Sequence, residues 1–181
     1  LFMITKYFIY IMLFVSVFSC SKKIEIDGDK VFKLNRYDNI SSLDPINART
    51  QANNWACNLI YNSLVKIDNT LEIQPDVAKS WVISEDGKTY SFTLKRDVYF
   101  HKHEAFGKDS TRTVNATDFV FSFDRLNDPK AGGSGGWIMN NIDSYKALND
   151  TIFEIKLKEA SPAFLGLISM KYASVVPREL F

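Results

Sequence analysis

Two stretches of the chain alternate apolar and polar residues with a period of two, and each adjoins a tight-turn signal. Tyr90-Ser91-Phe92-Thr93-Leu94 follows Ser84-Glu85-Asp86-Gly87-Lys88, whose Asp-Gly pair suits a hairpin because glycine accepts a positive φ. Phe153, Ile155 and Leu157 alternate with Glu154, Lys156 and Lys158 just after Asn149-Asp150. A period of two sends successive side chains to opposite faces of a strand. Both stretches therefore predict half-buried hairpins, over 80–94 and 142–157.

Helical spacing lies between and around them. Trp55, Leu59, Ile60 and Leu64 keep an i, i+4 rhythm that predicts a helix over 51–65 with those residues on its apolar face. Asn115 is placed to cap a second helix, with Asp118 favouring the positive end of its dipole. Phe119, Val120, Phe123 and Leu126 supply its buried face, and Asp128-Pro129 ends it. Ser161-Pro162 reads as a cap followed by proline at the first helical position, giving a short helix over 163–169. Ser42-Leu43-Asp44-Pro45 is a turn, and 131–136 is a flexible, glycine-rich loop. Short strands are expected at 31–34 and 98–101, and a buried one at 173–176 ahead of Pro177. The fold class that follows is α/β, with mixed α+β local pairings that are mostly antiparallel.

Composition removes several classes of function. With 22 basic against 21 acidic residues the net charge is +1, so nothing points to nucleic acid or to an acidic membrane face as partner. Aromatic residues reach 14%, which fits a dense core or a cleft lined by aromatic faces. No G-x-S-x-G, no H-E-x-x-H and no cysteine with a histidine partner is present, and Asp118 and Asp124 read as a helix-start charge and a surface charge. The chain is not expected to be an enzyme or to hold a cofactor. His101 and His103 share one face of a strand, but no third ligand is evident, so no metal site is assigned.

The first twenty residues read as an address. Lys6 precedes an apolar run over 7–18, too short to cross a bilayer core of roughly 30 Å and suited to a signal peptide. The run ends in Val17-Phe18-Ser19-Cys20, which resembles a bacterial lipobox, so Cys20 is the expected lipidation site and residues 21–30 a tether. The expected location is outside the cytoplasm, lipid-anchored at the cell envelope, in the periplasm or on the outer face of the cytoplasmic membrane. Cys57 falls in an apolar helical pattern and reads as a buried free thiol.

Four segments in register carry a resemblance. They are Pro75-Asp76-Val77-Ala78-Lys79-Ser80-Trp81 running into the Ser84 to Leu94 hairpin; Phe100-His101; Asn115-Ala116-Thr117-Asp118-Phe119-Val120-Phe121-Ser122-Phe123-Asp124-Arg125-Leu126; and Ser161-Pro162-Ala163-Phe164-Leu165 with Val175-Val176-Pro177. In this order they resemble the family 5 extracytoplasmic solute-binding proteins, the peptide-, dipeptide- and nickel-binding components of ABC importers. Lys102-His103-Glu104 stands where the family has Asp-Gly, and the longer insert to Thr113 is similar to the dipeptide-binding branch.

The resemblance implies a periplasmic-binding-protein-like, bilobed architecture with an extra inserted domain, of which only the N-terminal part lies in this chain. By that analogy residues 31–48 begin lobe I, 49–158 form the extra domain and 159–181 return to lobe I. The implied function is a substrate-binding lipoprotein of a peptide importer, monomeric at full length. It would capture a di- or oligopeptide between two lobes and deliver it to a permease that works with an ATPase. Alternatives on the same scaffold are another solute, such as a nickel complex or an oligosaccharide, or a sensor or adhesion lipoprotein without a transport role. Arg49-Thr50-Gln51 resembles the first-lobe stretch that approaches ligand, and Trp137 offers an aromatic wall. The alternatives are a solvated surface charge for Arg49 and a core or inter-domain contact for Trp137.

Overall fold

A computed structural model describes residue 35 and residues 38–131 and 133–181. The expected signal peptide, Cys20, the tether and the strand at 31–34 lie outside the described residues. The two hairpins form as the alternation predicts. Strands β3 (Ala78–Ile83) and β4 (Thr89–Leu94) make the first, and β5 (Ile142–Asn149) and β6 (Ile152–Leu157) the second. Gly87 closes the first turn at φ 68°. The hairpins join into one antiparallel sheet ordered β3-β4-β6-β5, so the two alternating strands become its centre.

Register lines up the inward face. Trp81 lies opposite Phe92, Phe92 opposite Phe153, and Phe153 opposite Ala147, while Tyr90, Ile155 and Tyr145 form the next row. The outward rows carry Ser91 and Glu154, with Lys146 3.2 Å from Glu154.

One helix covers the inward face. Its N-terminus is fixed by a reciprocal cap: Asn115 Oδ1 accepts from the Thr117 and Asp118 amides, and Asp118 Oδ2 accepts from the Asn115 amide. The helix, Ala116–Asn127, buries Phe119, Phe123 and Leu126, as the spacing predicts, with Val120 only half-buried. Phe123 meets Phe153 edge-on at 5.4 Å and Tyr145 at 5.4 Å, and Phe119 meets Phe153 at 5.6 Å. Burying each ring is worth about 2–3 kcal/mol, and each aromatic pair adds about 1 kcal/mol.

The covering helix Ala116–Asn127 is α2; the remaining elements are the helix α1 (Gln51–Ile60), a two-stranded ribbon of β1 (Val65–Ile67) and β2 (Ile73–Pro75), and a short helix α3 (Phe164–Ile168). The ribbon joins the sheet region through the Val77 and Ala78 amides, which donate to the Ser63 and Leu64 carbonyls at 3.0 and 2.9 Å. Every strand pairing among the described residues is antiparallel. No helix among them is long and apolar enough to cross a membrane.

Several local expectations change. Helix α1 stops at Ile60, where Tyr61 turns extended, and its buried face is Ala52, Asn53 and Cys57 rather than Trp55 and Leu59. Trp55 is 38% exposed and Leu59 68%. The small side chains of the buried face allow close approach to the turn at Pro45–Asn47, and Ser41 satisfies the buried Asn53 amide at 3.1 Å. Leu64 leaves the helix and is buried beside the ribbon.

The strand expected at 98–101 is reduced to a single bridge between Tyr99 and Thr113. Ser161 does not cap α3 with its side chain; the N-cap is Ala163, and the Ser161 carbonyl accepts from the Phe164 amide. Residues 173–176 are buried but not a strand. The Val175 amide donates to the Asn62 carbonyl and the Val176 amide to the Ser122 hydroxyl, so partners come singly and no ladder forms. Cys57 is a buried free thiol, as expected.

Candidate functional site

Arg49, Thr50 and Gln51, singled out from sequence, stand at the N-terminal end of α1. Asp44 caps a 3-10 turn at Pro45–Asn47, and the chain then enters α1 through Arg49 and Thr50. Thr50 is committed to structure, since its hydroxyl accepts from the Asn53 amide at 3.2 Å as the helix cap. Gln51 is the first helical residue and is exposed. Arg49 reaches across to the glycine-rich segment, where its Nε donates to the Ser134 hydroxyl.

That segment is laid directly on the turn. The Ser134 amide donates to the Ile46 carbonyl at 2.9 Å, and a Cβ on Gly133 would stand 3.2 Å from Ile46. A Cβ on Gly135 would stand 2.5 Å from Tyr172, so only glycine admits this approach. Trp137 follows in the 3-10 helix Gly136–Asn141, whose Ile138 and Met139 are buried while Trp137 is 47% exposed. The structure thus brings Arg49 together with the loop that leads into Trp137, and Trp137 is half-exposed rather than buried in the core.

The opposite end of α1 holds a cavity that sequence reasoning did not find. It measures about 290 Å³ and lies between Ile60–Asn62, the segment Val98–Phe106 and the C-terminal Val175–Phe181. Its floor is aromatic, with Phe100 and Phe106 stacked at 5.9 Å. The Arg112 guanidinium lies 4.9 Å above Phe100 and 5.7 Å from Phe106. Arg112 is itself held by two carboxylates, with two 2.7 Å bonds to the fully buried Asp118 and bonds of 2.7 and 2.8 Å to Glu179. Asp118, and then Glu179, hold the guanidinium protonated well above its already high ordinary value, and Arg112 holds the Glu179 carboxyl below the usual range. The clustering of aromatic residues over 99–106 was the available signal, but the partner segments come from 60 and 175 and are not predictable by spacing.

Both histidines near this cavity are engaged within the chain. His101 Nε2 lies 3.2 Å from the Ile60 carbonyl, and His103 Nδ1 accepts from the Ala105 amide at 3.1 Å. Among the described residues no group of three or more His, Cys, Asp or Glu side chains is placed to hold a metal ion. Burial, then the Asp44 charge, pushes the Cys57 thiol up, so it is a poor nucleophile at neutral pH. Burial pushes the Lys171 ammonium down, and its Nζ donates to the Tyr61 carbonyl at 3.2 Å. Asp124 accepts from the Tyr145 hydroxyl at 2.7 Å while Asp118 is spent on Arg112, so the two do not act as a carboxylate pair.

This arrangement of sheet, helix and cap can be set against known proteins. The model of the bacterial extracellular solute-binding proteins, family 5 Middle, matches residues 72–179, more than half of the chain. The chain belongs to that family. The family 5 match takes in the whole sheet, α2, the Arg112 cluster and α3. The dipeptide-binding protein of Escherichia coli K12 is 35% identical over 132 residues, covering 66% of this chain and 24% of its own length. The nickel-binding periplasmic protein of the same organism is 33% identical over 132 residues, covering 73% of this chain and 24% of its own. Among solved structures, the ABC transporter-associated periplasmic binding protein DppA from Helicobacter pylori, in complex with the peptide STSA, superposes with a TM-score of 0.69 at 31% identity. That superposition covers 77% of this chain and 29% of the other. The fold is thus that of the family 5 periplasmic binding proteins, and the chain spans about a quarter of the length of the curated relatives it matches.

Proposed function

We propose that this chain is the N-terminal part of the solute-binding lipoprotein of an ABC-type peptide importer, and that it takes a short peptide between two lobes and hands it to the membrane permease. The observation that carries the reading is the 31% identity and TM-score of 0.69 to a relative solved with a bound peptide. On this reading residues 31–48 and 159–181 belong to one lobe, 49–158 to an additional domain, and Cys20 carries the lipid that holds the exported protein at the envelope. The bond from Arg49 to Ser134, in the loop that leads into the half-exposed Trp137, supports the reading, because it fixes an arginine at the start of α1 and a large aromatic side chain near the surface. On this reading the protein binds rather than transforms its ligand, in keeping with the solute-binding family it belongs to. A second reading, a nickel complex as solute, has the nickel-binding relative in its favour.

A thermal-shift screen of the full-length mature protein, made without its lipid cysteine, tests both. A ligand at a hundred times its Kd adds about 2.7 kcal/mol to stability. A shift with di- or tripeptides, and none with free amino acids or nickel, supports peptide capture. A shift with a nickel complex alone moves the assignment to the metal-binding branch, and no shift with any of them refutes both.

A further inference from the structure

The ribbon of β1 and β2 ends in residues 68–72, and one residue of this tip is doubly unfavourable where it stands. Leu71 has φ 64° and is 83% exposed. In the left-handed region a leucine Cβ crowds the following carbonyl, a strain that glycine avoids and asparagine tolerates better. The side chain recovers nothing by burial.

The conformation is nevertheless held firmly. Asp68 Oδ1 accepts from the Thr70 amide at 2.9 Å, the Thr70 hydroxyl at 2.7 Å and the Glu72 amide at 3.1 Å. Its Oδ2 accepts from Gln74 Nε2 at 2.9 Å, and the Leu71 amide donates to the Asp68 carbonyl at 3.1 Å. A lone exposed leucine on relaxed backbone is ordinary. An exposed leucine on strained backbone, braced by a carboxylate that accepts four hydrogen bonds, is displayed by its loop, and strain kept in this way points to use. Ile67, 46% exposed on β1, extends the apolar tip.

Charge selects the kind of partner. Asp68 and Glu72 flank the leucine, so the tip is repelled by anionic lipid headgroups and suits an apolar socket rimmed by cationic side chains. We propose that Leu71 is a docking knob for such a socket on a protein partner; on the reading above, which this identification rests on, the partner is the importer's membrane subunit.

The test uses the full-length protein in its own cells. With the photoreactive p-benzoylphenylalanine in place of Leu71, irradiation is expected to join the protein to one integral membrane protein, and the same group in place of Lys79 sets the background. Purified Leu71→Asn should melt no lower than the parent and keep its peptide-induced thermal shift, while uptake of a labelled dipeptide falls at least tenfold and Leu71→Met retains it. Crosslinking at position 71 no greater than at 79, or unchanged uptake with Leu71→Asn, overturns the knob. So does sedimentation of the parent, but not of Leu71→Asn, with phosphatidylglycerol vesicles, which would assign the tip to the membrane. A parent protein that shifts with no peptide defeats the proposed function alone, and the crosslink then still decides the knob.

Discussion

Replacing Arg112 by methionine should lower stability by about 3 kcal/mol, and the structure shows where that figure arises. Asp118 is fully buried at the start of α2, and two 2.7 Å bonds from Arg112 compensate its charge. Removing one partner of a buried pair costs about 3–5 kcal/mol, because the remaining charge is left in a medium that solvates it poorly. The Arg112 side chain is 27% exposed, so water reaches the pair from one side and the lower end of that range applies. Loss of the half-exposed Glu179 contact adds at most about 1 kcal/mol.

A domain of this size loses about 2–4 °C in Tm per kcal/mol, so a fall of roughly 10 °C is expected in thermal unfolding followed by circular dichroism. The double variant Arg112→Met/Asp118→Asn separates charge burial from simple packing loss. An asparagine oxygen still accepts from the Asn115 amide, and no uncompensated charge remains, so the double variant should recover about 1–3 kcal/mol over Arg112→Met alone. If Arg112→Met melts within 3 °C of the parent, or if the two changes simply add, the account of a compensated buried carboxylate is wrong.

Other consequences are independent of that pair. Asp68, held by hydrogen bonds first from the Thr70 hydroxyl and then from the Glu72 amide, has its carboxyl lowered to about 2. Because the folded value lies below the unfolded one of about 3.9, its stabilising effect is present above about pH 4 and lost as pH falls towards 2; a carboxyl titration by NMR with a midpoint near 4 contradicts this. Gly135→Ala places a Cβ 2.5 Å from Tyr172 and should destabilise by about 1–3 kcal/mol in urea unfolding, whereas Gly107→Ala, with open space around it but φ 73°, should cost about 1 kcal/mol. Phe153→Ala removes the ring shared by Phe119, Phe123 and Tyr145 and should cost about 3–5 kcal/mol; a loss below 2 kcal/mol argues against that cluster as the core. Native Cys57 should resist Ellman's reagent until the chain unfolds, and labelling at the rate of a free thiol would show that the segment around Leu43 does not cover it.

Both hairpins, the capped helix Ala116–Asn127 and the family could be read from the sequence, because each rests on local information. Alternation of Phe153, Ile155 and Leu157 sets a strand's two faces within five residues, and Asn115 with Asp118 fixes a helix start within four. The failures share a cause of the opposite kind. Trp55 and Leu59 obey helical spacing as well as Phe119 and Phe123 do, yet only the second pair is covered, and periodicity cannot tell a face that finds a partner from one that does not.

The same holds for residues 173–176, whose apolar character marked them as buried but whose amide partners, the Asn62 carbonyl and the Ser122 hydroxyl, lie more than fifty residues away. Arg49 and Trp137 could be nominated separately from sequence, but the link through Ser134 exists only because Gly133 and Gly135 let that segment lie against Ile46 and Tyr172. Local propensity and pattern are properties of a few neighbouring residues and are written in their order. Which strand pairs with which, which carboxylate meets Arg112 and where a cavity opens depend on free-energy differences summed over contacts between distant segments, and only the folded chain sets those.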